Sequence, residues 1–183
     1  VHSLRERIRR AFSPPLFPID LHEIPARVAF HDVPKEPWTL EGATLTSALV
    51  MHPGPTVGFR IEADGATLAY VPDHEPALTG DFAARTRDWI SGASLSGDAD
   101  VLLHDAQFFE EEYAARIGWG HSSVDSAVAY ANAVGARRLV LFHHDPSHED
   151  RLLEQLEVEA ASLTDERSEP PVLAREGMVL DLS

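Results

Sequence analysis

The stretch RLVLFHHDPSHED, residues 138–150, contains an apolar run that ends at two adjacent histidines. Leu139 to Phe142 have the length and composition of a short buried strand, and histidines, acids and a proline follow them. A helical pattern, SSVDSAVAYANAVG (122–135), precedes the run, with Ser122 as its predicted cap and Gly135 as its predicted end. The stretch therefore predicts a helix followed by a buried strand that delivers polar side chains where it ends.

The same alternation extends through the second half of the chain. ADVLLHD (99–105) predicts another buried strand, and the segments 81–93 and 149–163 have apolar residues at helical spacing. EGMVLDLS (176–183) is predicted as a last edge strand. Helices between buried strands favour an α/β arrangement in this half.

The first half has a different pattern, typical of antiparallel strands. SLRERIRRAF (3–12) predicts a helix, and strands are predicted over 26–34 and 38–53. Residues 57–73 predict a hairpin that turns at Asp64-Gly65. Two sheets flanked by helices would accommodate both halves, so we expect a mixed α/β (α+β) fold in a single domain, residues 1–183.

Composition limits the classes of partner. The chain has 183 residues, a net charge of −15, a single lysine (Lys35) and no cysteine. A large nucleic-acid surface is not expected, because such surfaces need clustered Lys and Arg, and the one basic cluster is Arg5 to Arg10. There is no apolar run of about 18 residues, so we expect no membrane span. The absence of cysteine suits a cytoplasmic protein and leaves histidine and carboxylate as the metal ligands.

Polar motifs follow several of the predicted strands, where a sheet gathers its functional side chains. Each one alone is weak evidence, since a single histidine at a strand end is more often structural. Together they favour a site for a divalent metal, which binds imidazole nitrogen and carboxylate oxygen. The sequence has no G-x-S-x-G, H-E-x-x-H or phosphate-loop motif that would favour other chemistry. The residues concerned are His52, Asp73, His74, Glu75, His104, Asp105, His121, His143, His144 and Asp145.

Four segments that contain these residues resemble, in order, the metallo-β-lactamase-fold hydrolases, in the branch near ribonuclease Z and related phosphodiesterases. MHPGPTVGFRIEADG (51–65) is similar to a metal-ligand histidine followed by a Gly-aromatic-Arg strand. AYVPDHEP (69–76) resembles the segment with the aspartate that bridges two metals. ADVLLHDAQF (99–108) and GHSSVDSAVAYANAVGARRLVLFHHDP (120–146) resemble the segments that follow, through the final metal-ligand histidine.

This resemblance implies a four-layer αββα sandwich and assigns roles to five residues. His52, Asp73 and His143 would be metal ligands, and Asp105 with His121 would act in proton transfer. His74, His104 and His144 would be supporting or structural residues. The family's H-x-H-x-D-H motif, which supplies four ligands, is absent, so we expect the chain to be the C-terminal two-thirds of such a domain.

The resemblance implies a hydrolase that uses two divalent metal ions in the complete protein, zinc first, with manganese or iron as alternatives. The expected substrate is a small or nucleotide-like phosphodiester, with a lactone or thioester as an alternative for the same metals. A homo-oligomer is an open alternative for the assembly. A rival from another class is a metal-free fragment or pseudo-enzyme that acts as a binding module.

Overall fold

The computed structural model describes residues 3–76, 78, 82 and 85–182. Its contacts divide the chain into two compact units, residues 1–33 and 34–183. The first unit contains α1 (Leu4–Ala11), capped by Ser3, and a 3₁₀ turn at Leu21–Glu23. The strand predicted over 26–34 does not form, and the side chains of Val28 and Val33 stay exposed because no neighbouring strand pairs with them. The assignment of one domain to residues 1–183 stays a prediction.

The second unit is built on one sheet whose seven strands lie side by side in chain order. The first four strands pair antiparallel, and the fourth to the seventh pair parallel. The mixed α/β class is thereby confirmed. The two predicted halves meet in one sheet because the fourth strand pairs antiparallel with the third strand on one side and parallel with the fifth strand on the other. The strands are β1 (Trp38–Leu40), β2 (Ala43–Val50), β3 (Thr56–Ala63), β4 (Ala66–Val71), β5 (Val101–Asp105), β6 (Arg138–Phe142) and β7 (Glu169–Leu173).

Helices cover one face of this sheet. They are α2 (Ala93–Ser96), α3 (Glu110–Tyr113), α4 (Val124–Val134) and α5 (Asp150–Leu163), with a 3₁₀ turn at Arg87–Trp89. The helix predicted over 81–93 is replaced by that turn and the start of α2, and residues 81, 83 and 84 lie outside the described residues. The cap of α4 is Ser123, one residue after the predicted Ser122. None of the described helices is long and apolar enough to cross a membrane.

The core forms between these helices and the sheet. Leu102 and Leu141 from neighbouring strands belong to one buried cluster with Leu95 of α2 and Val128 of α4. The opposite face of the sheet also carries apolar side chains; Val101 and Val140 there are buried, and a larger set is only half-buried. By register this second set includes Leu45, Phe59, Ile61, Tyr70 and Phe142.

The last strand lies earlier in the chain than the sequence predicts. Residues 176–182 form no strand, and Glu169–Leu173 pairs with β6 instead. Pro170 and Pro171 make the sequence of this strand look unlike a strand, because proline lacks the N–H that a central strand must donate. The strand lies at the edge of the sheet, where this loss is tolerated, and Leu173 is buried against the core.

The strand directions determine where polar side chains collect. β2 is antiparallel to β3, and β3 is antiparallel to β4, so β2 and β4 run the same way. β5 and β6 are parallel to β4. The carboxyl ends of these four strands therefore lie at one edge of the sheet. His52, Asp73, Asp105 and His143 lie at or just after those ends.

Candidate metal centre

Asp73, His121 and His143 converge at this edge. Each offers a ligand atom, and the three atoms lie within 4.8 Å of one another. The imidazoles of His121 and His143 are stacked, with ring centroids 4.9 Å apart and an angle of 11° between their planes. Nδ1 of His143 lies 3.7 Å from Oδ1 of Asp73. One carboxylate and two imidazoles, all reachable from solvent, form a donor set that fits a divalent cation such as zinc.

His143 reaches the site through an unusual backbone conformation. β6 ends at Phe142, and His143 has a φ of 62°, in the left-handed region that few residues other than glycine adopt. His144 then points elsewhere, and its Nδ1 donates to the carbonyl of Ala106 at 3.1 Å. His143 and His144 therefore point in different directions, and His144 bonds a loop carbonyl, in agreement with its expected structural role. The cause is the turn at His143 rather than alternation along a strand.

His148, the third histidine of the segment after β6, contacts α3. Its side chain is only 5% exposed, and its Nε2 lies 3.0 Å from the carboxylate of Glu112. The ring also packs on Phe109, with centroids 4.2 Å apart. The segment after β6 is therefore attached to α3, a contact between residues 36 positions apart that no local pattern indicates.

Asp105 forms a hydrogen bond with His121 and orients its ring. The carboxylate is fully buried, and its Oδ2 lies 2.6 Å from Nδ1 of His121. The carboxylate also accepts from the backbone N–H groups of His74 and Gln107. The hydrogen bond to Asp105 raises the pKa of His121, although partial burial of the ring opposes this shift. The pair can therefore keep a proton on Nδ1 and direct Nε2 of His121 towards the site.

His52 lies beside the three converging residues without joining them. Its ring centroid is 5.5 Å from that of His121. Nδ1 faces the N–H and carbonyl of Gly54 and the hydroxyl of Thr56, so either tautomer finds a partner there and leaves Nε2 free. Gly120 makes room for this ring, since a Cβ at Gly120 would lie 2.3 Å from Cδ2 of His52. His52 as a metal ligand stays a prediction.

His74 and His104 form a buried polar chain beneath the site. Nδ1 of His104 donates to the carbonyl of Asp105 at 2.7 Å, so its Nε2 is free to accept from Nδ1 of His74 at 2.9 Å. Nε2 of His74 in turn accepts from the hydroxyl of Ser91, which accepts from the N–H of Met51. Burial lowers the pKa of His74 well below its usual value, with His104 adding to the shift, and burial also lowers the pKa of His104. Both rings are thus neutral and structural.

Glu75 has a function in the fold that sequence reasoning missed. Its carboxylate is 1% exposed and accepts from the N–H groups of Gly118 and Gly120, each at 2.7 Å, and from the hydroxyl of Tyr113 at 3.0 Å. It thereby fixes the loop that leads into His121. The signal available in the sequence was a glutamate directly after Asp73 and His74, but its partners lie some 40 residues away and could not be inferred from it.

A second group of candidate ligands lies in the first unit, on the turn at Leu21–Glu23. Asp20, His22 and Glu23 also bring ligand atoms within 4.8 Å of one another. Glu23 caps the N–H of Asp20 at 2.7 Å, which accounts for the proximity of the two acids. We assign no metal site to this group.

Comparison with known proteins identifies the family of the chain. Residues 2–144 match the family described as the Beta-lactamase superfamily domain. The chain is 31% identical over 138 residues to ribonuclease Z of Mycobacterium tuberculosis H37Rv, an alignment that covers 71% of this chain and 43% of the relative. The chain thus spans about half or less of the length of the curated relatives it matches.

Two solved structures share the fold. The metallo-β-lactamase fold protein YhfI of Bacillus subtilis superposes with a TM-score of 0.59 at 22% identity, covering 82% of this chain and 54% of YhfI. Zinc-bound PqqB of Methylobacterium extorquens superposes with a TM-score of 0.56 at 25% identity, covering 82% of this chain and 51% of PqqB. A relative with this fold therefore binds a divalent metal.

Proposed function

This chain belongs to the β-lactamase superfamily, with ribonuclease Z among its relatives, and on that premise we propose that it is a metal-dependent hydrolase of phosphodiesters in small or nucleotide-like substrates. The observation that carries the proposal is the convergence of Asp73, His121 and His143, with the buried carboxylate of Asp105 bonded to His121. The net charge of −15 supports a small substrate over an extended nucleic acid, which would be repelled.

The donor set suggests how the residues divide the work. Asp73 and His143 would hold a divalent cation, with His52 as a further imidazole at the same edge. A cation held there would act as a Lewis acid on a phosphoryl oxygen and lower the pKa of a bound water. His121, kept protonated on Nδ1 by Asp105, would give the proton on its Nε2 to the leaving-group oxygen.

Two functions of His121 compete for the same nitrogen. If Nε2 binds the cation, it cannot also carry the proton for the leaving group. The arrangement of a carboxylate behind an imidazole occurs in proton donors and also in metal ligands, so geometry alone supports both. We assign His121 to proton transfer, and the exchange of Asp105 described below distinguishes the two.

The proposal is tested with the purified chain incubated with Zn²⁺ or Mn²⁺. We expect bound metal by elemental analysis after dialysis, and hydrolysis of bis(p-nitrophenyl) phosphate in preference to a lactone or a thioester. Asp73→Ala should lose both the metal and the hydrolysis. Asp64→Ala is the matched control, because Asp64 lies in the exposed turn between β3 and β4. Metal binding with hydrolysis of the lactone or thioester alone would overturn the choice of substrate, and no metal binding would overturn the proposal.

A further inference from the structure

The loop Gly118–Trp119–Gly120 is held rigidly next to the candidate metal centre. Both glycines have positive φ values, 88° and 96°, and the N–H of each donates to the buried carboxylate of Glu75. The backbone on both sides of Trp119 is therefore fixed by one charged group. The residue that follows the loop is His121.

This rigid loop presents a large aromatic side chain to solvent. Trp119 is 61% exposed, and its indole touches the fold through the edge of Phe108, with centroids 6.5 Å apart. The same Phe108 ring contacts the imidazole of His121, with centroids 6.1 Å apart. One aromatic ring thus separates the exposed indole from the candidate proton donor. Core packing does not explain an indole held out in this way, because most of its surface stays in water.

The surroundings of the indole indicate the chemistry of a ligand. The guanidinium of Arg116 lies 4.9 Å above the ring of Phe108, and it is paired with Glu112, whose carboxylate is 4.0 Å away. Met51 adds a partly exposed apolar side chain beside His52, whose ring packs against Gly120. An exposed aromatic face next to a candidate metal centre suits a planar ring attached to a phosphate.

We propose that Trp119 is a binding residue that stacks the base of a nucleoside phosphate whose phosphate occupies the Asp73–His121–His143 site. This inference rests on the proposed function for the position of the phosphate. The inference adds the class of substrate to the proposed function: a nucleotide rather than an alkyl or sugar phosphate.

The test measures binding, so that it does not depend on turnover. Adenosine 5′-monophosphate and ribose 5-phosphate are titrated into the full chain by calorimetry, with and without Zn²⁺. The two probes share the ribose phosphate and differ in the base. We expect the wild-type chain to bind the nucleotide roughly 5- to 100-fold more tightly, the range expected from stacking one base on an aromatic side chain. Trp119→Ala should bring this ratio close to one, and Trp119→Phe should keep most of it.

Trp89 offers a matched control. Its side chain is 79% exposed on the 3₁₀ turn before α2, so Trp89→Ala removes the same surface at another place and should leave the ratio unchanged. Phenyl phosphate is titrated as a third probe. Binding as tight as that of the nucleotide would indicate a subsite for any aryl group instead of a nucleobase. Equal affinities for the two ribose phosphates in the wild-type chain, or a ratio that Trp119→Ala leaves unchanged, would overturn the proposal. If the wild-type chain shows the expected ratio of affinities but hydrolyses no phosphodiester, the proposed function is contradicted and the nucleobase subsite is not.

Discussion

Oδ2 of Asp105 lies 2.6 Å from Nδ1 of His121, although the two residues are 16 positions apart and only Asp105 belongs to a strand. The buried carboxylate determines both the direction of the imidazole and which of its nitrogens carries a proton. The ring of His121 also contacts the stacked ring of His143 and the ring of Phe108.

Asp105→Asn tests what His121 does. If His121 donates a proton, the variant should keep its metal and lose roughly 10²- to 10⁴-fold in kcat with an alkyl phosphodiester. The loss should be much smaller with a p-nitrophenyl ester, whose leaving group needs no proton. If His121 binds metal, the affinity for metal should instead fall roughly 10- to 100-fold and both esters should suffer equally. Elemental analysis and the two kcat values decide between these results.

His143→Ala and His144→Ala should affect different properties. The first should lose metal and keep the fold, because its imidazole faces the Asp73 carboxylate at the edge of the sheet. The second should keep metal and lower the free energy of unfolding by ~1–3 kcal/mol, because the carbonyl of Ala106 loses its partner. Metal content and urea unfolding of both variants check this. The reverse result would mean that the ligand is the neighbouring histidine.

Gly120→Ala should be more harmful than Gly118→Ala. Both glycines have positive φ, so either change costs about 1–2 kcal/mol in backbone strain. Only at Gly120 does the added Cβ collide, at 2.3 Å from Cδ2 of His52 and 2.5 Å from Cδ of Pro53, whereas nothing lies within 4 Å at Gly118. We expect a further ~1–3 kcal/mol lost in urea unfolding, together with weaker metal binding if His52 is a ligand. Equal losses in the two variants would show that the ring of His52 moves away freely.

Glu75→Gln should loosen the loop that carries Trp119 and His121. Three donors use the two carboxylate oxygens, and glutamine keeps only one acceptor, so at least one buried N–H faces an amide N–H₂. We expect a loss of ~1–3 kcal/mol in the free energy of unfolding. Tyr113→Phe removes one donor, leaves the acceptors satisfied by the glycines, and should cost less. Faster amide exchange of Gly118 and Gly120 in Glu75→Gln alone would locate the effect in the loop.

Acid should destabilise the fold through the pair of His74 and His104. Their pKa values are lowered in the folded chain, so the unfolded chain binds more protons once the pH falls below about 6.5, the usual histidine value. The stability due to the neutral pair is complete above that pH and declines as the pH decreases towards the lowered values. The pKa of His121 is raised, so its contribution has the opposite sign. The melting temperature between pH 7.5 and 5.5 should therefore decline less in His104→Gln than in the wild-type chain.

The sequence by itself determined the mixed class and most of the elements of the second unit. Apolar runs such as Leu139 to Phe142 and helical spacing between 122 and 135 are local properties, and the strand β6 and the helix α4 confirm them. Local patterns also indicated that polar residues follow the strands, and the shared direction of β2, β4, β5 and β6 brings those residues to one edge. The short strand with Pro170 and Pro171 was missed because its strand propensity is poor, and it forms through tertiary contacts, by pairing with β6 and packing against α5.

Tertiary structure alone decided how the residues at that edge are arranged. The left-handed turn at His143, the approach of His121 to Asp73 and the lateral place of His52 depend on where separate strands and loops end in space. The hold of Glu75 on the loop 118–120 joins residues more than 40 positions apart. The periodicity of apolar residues indicates which face of a strand or helix is buried. A hydrogen bond between distant residues, such as that of Glu75, produces no periodic pattern in the sequence. For that reason the ligand types could be predicted from the sequence, whereas their geometry and its supports could not.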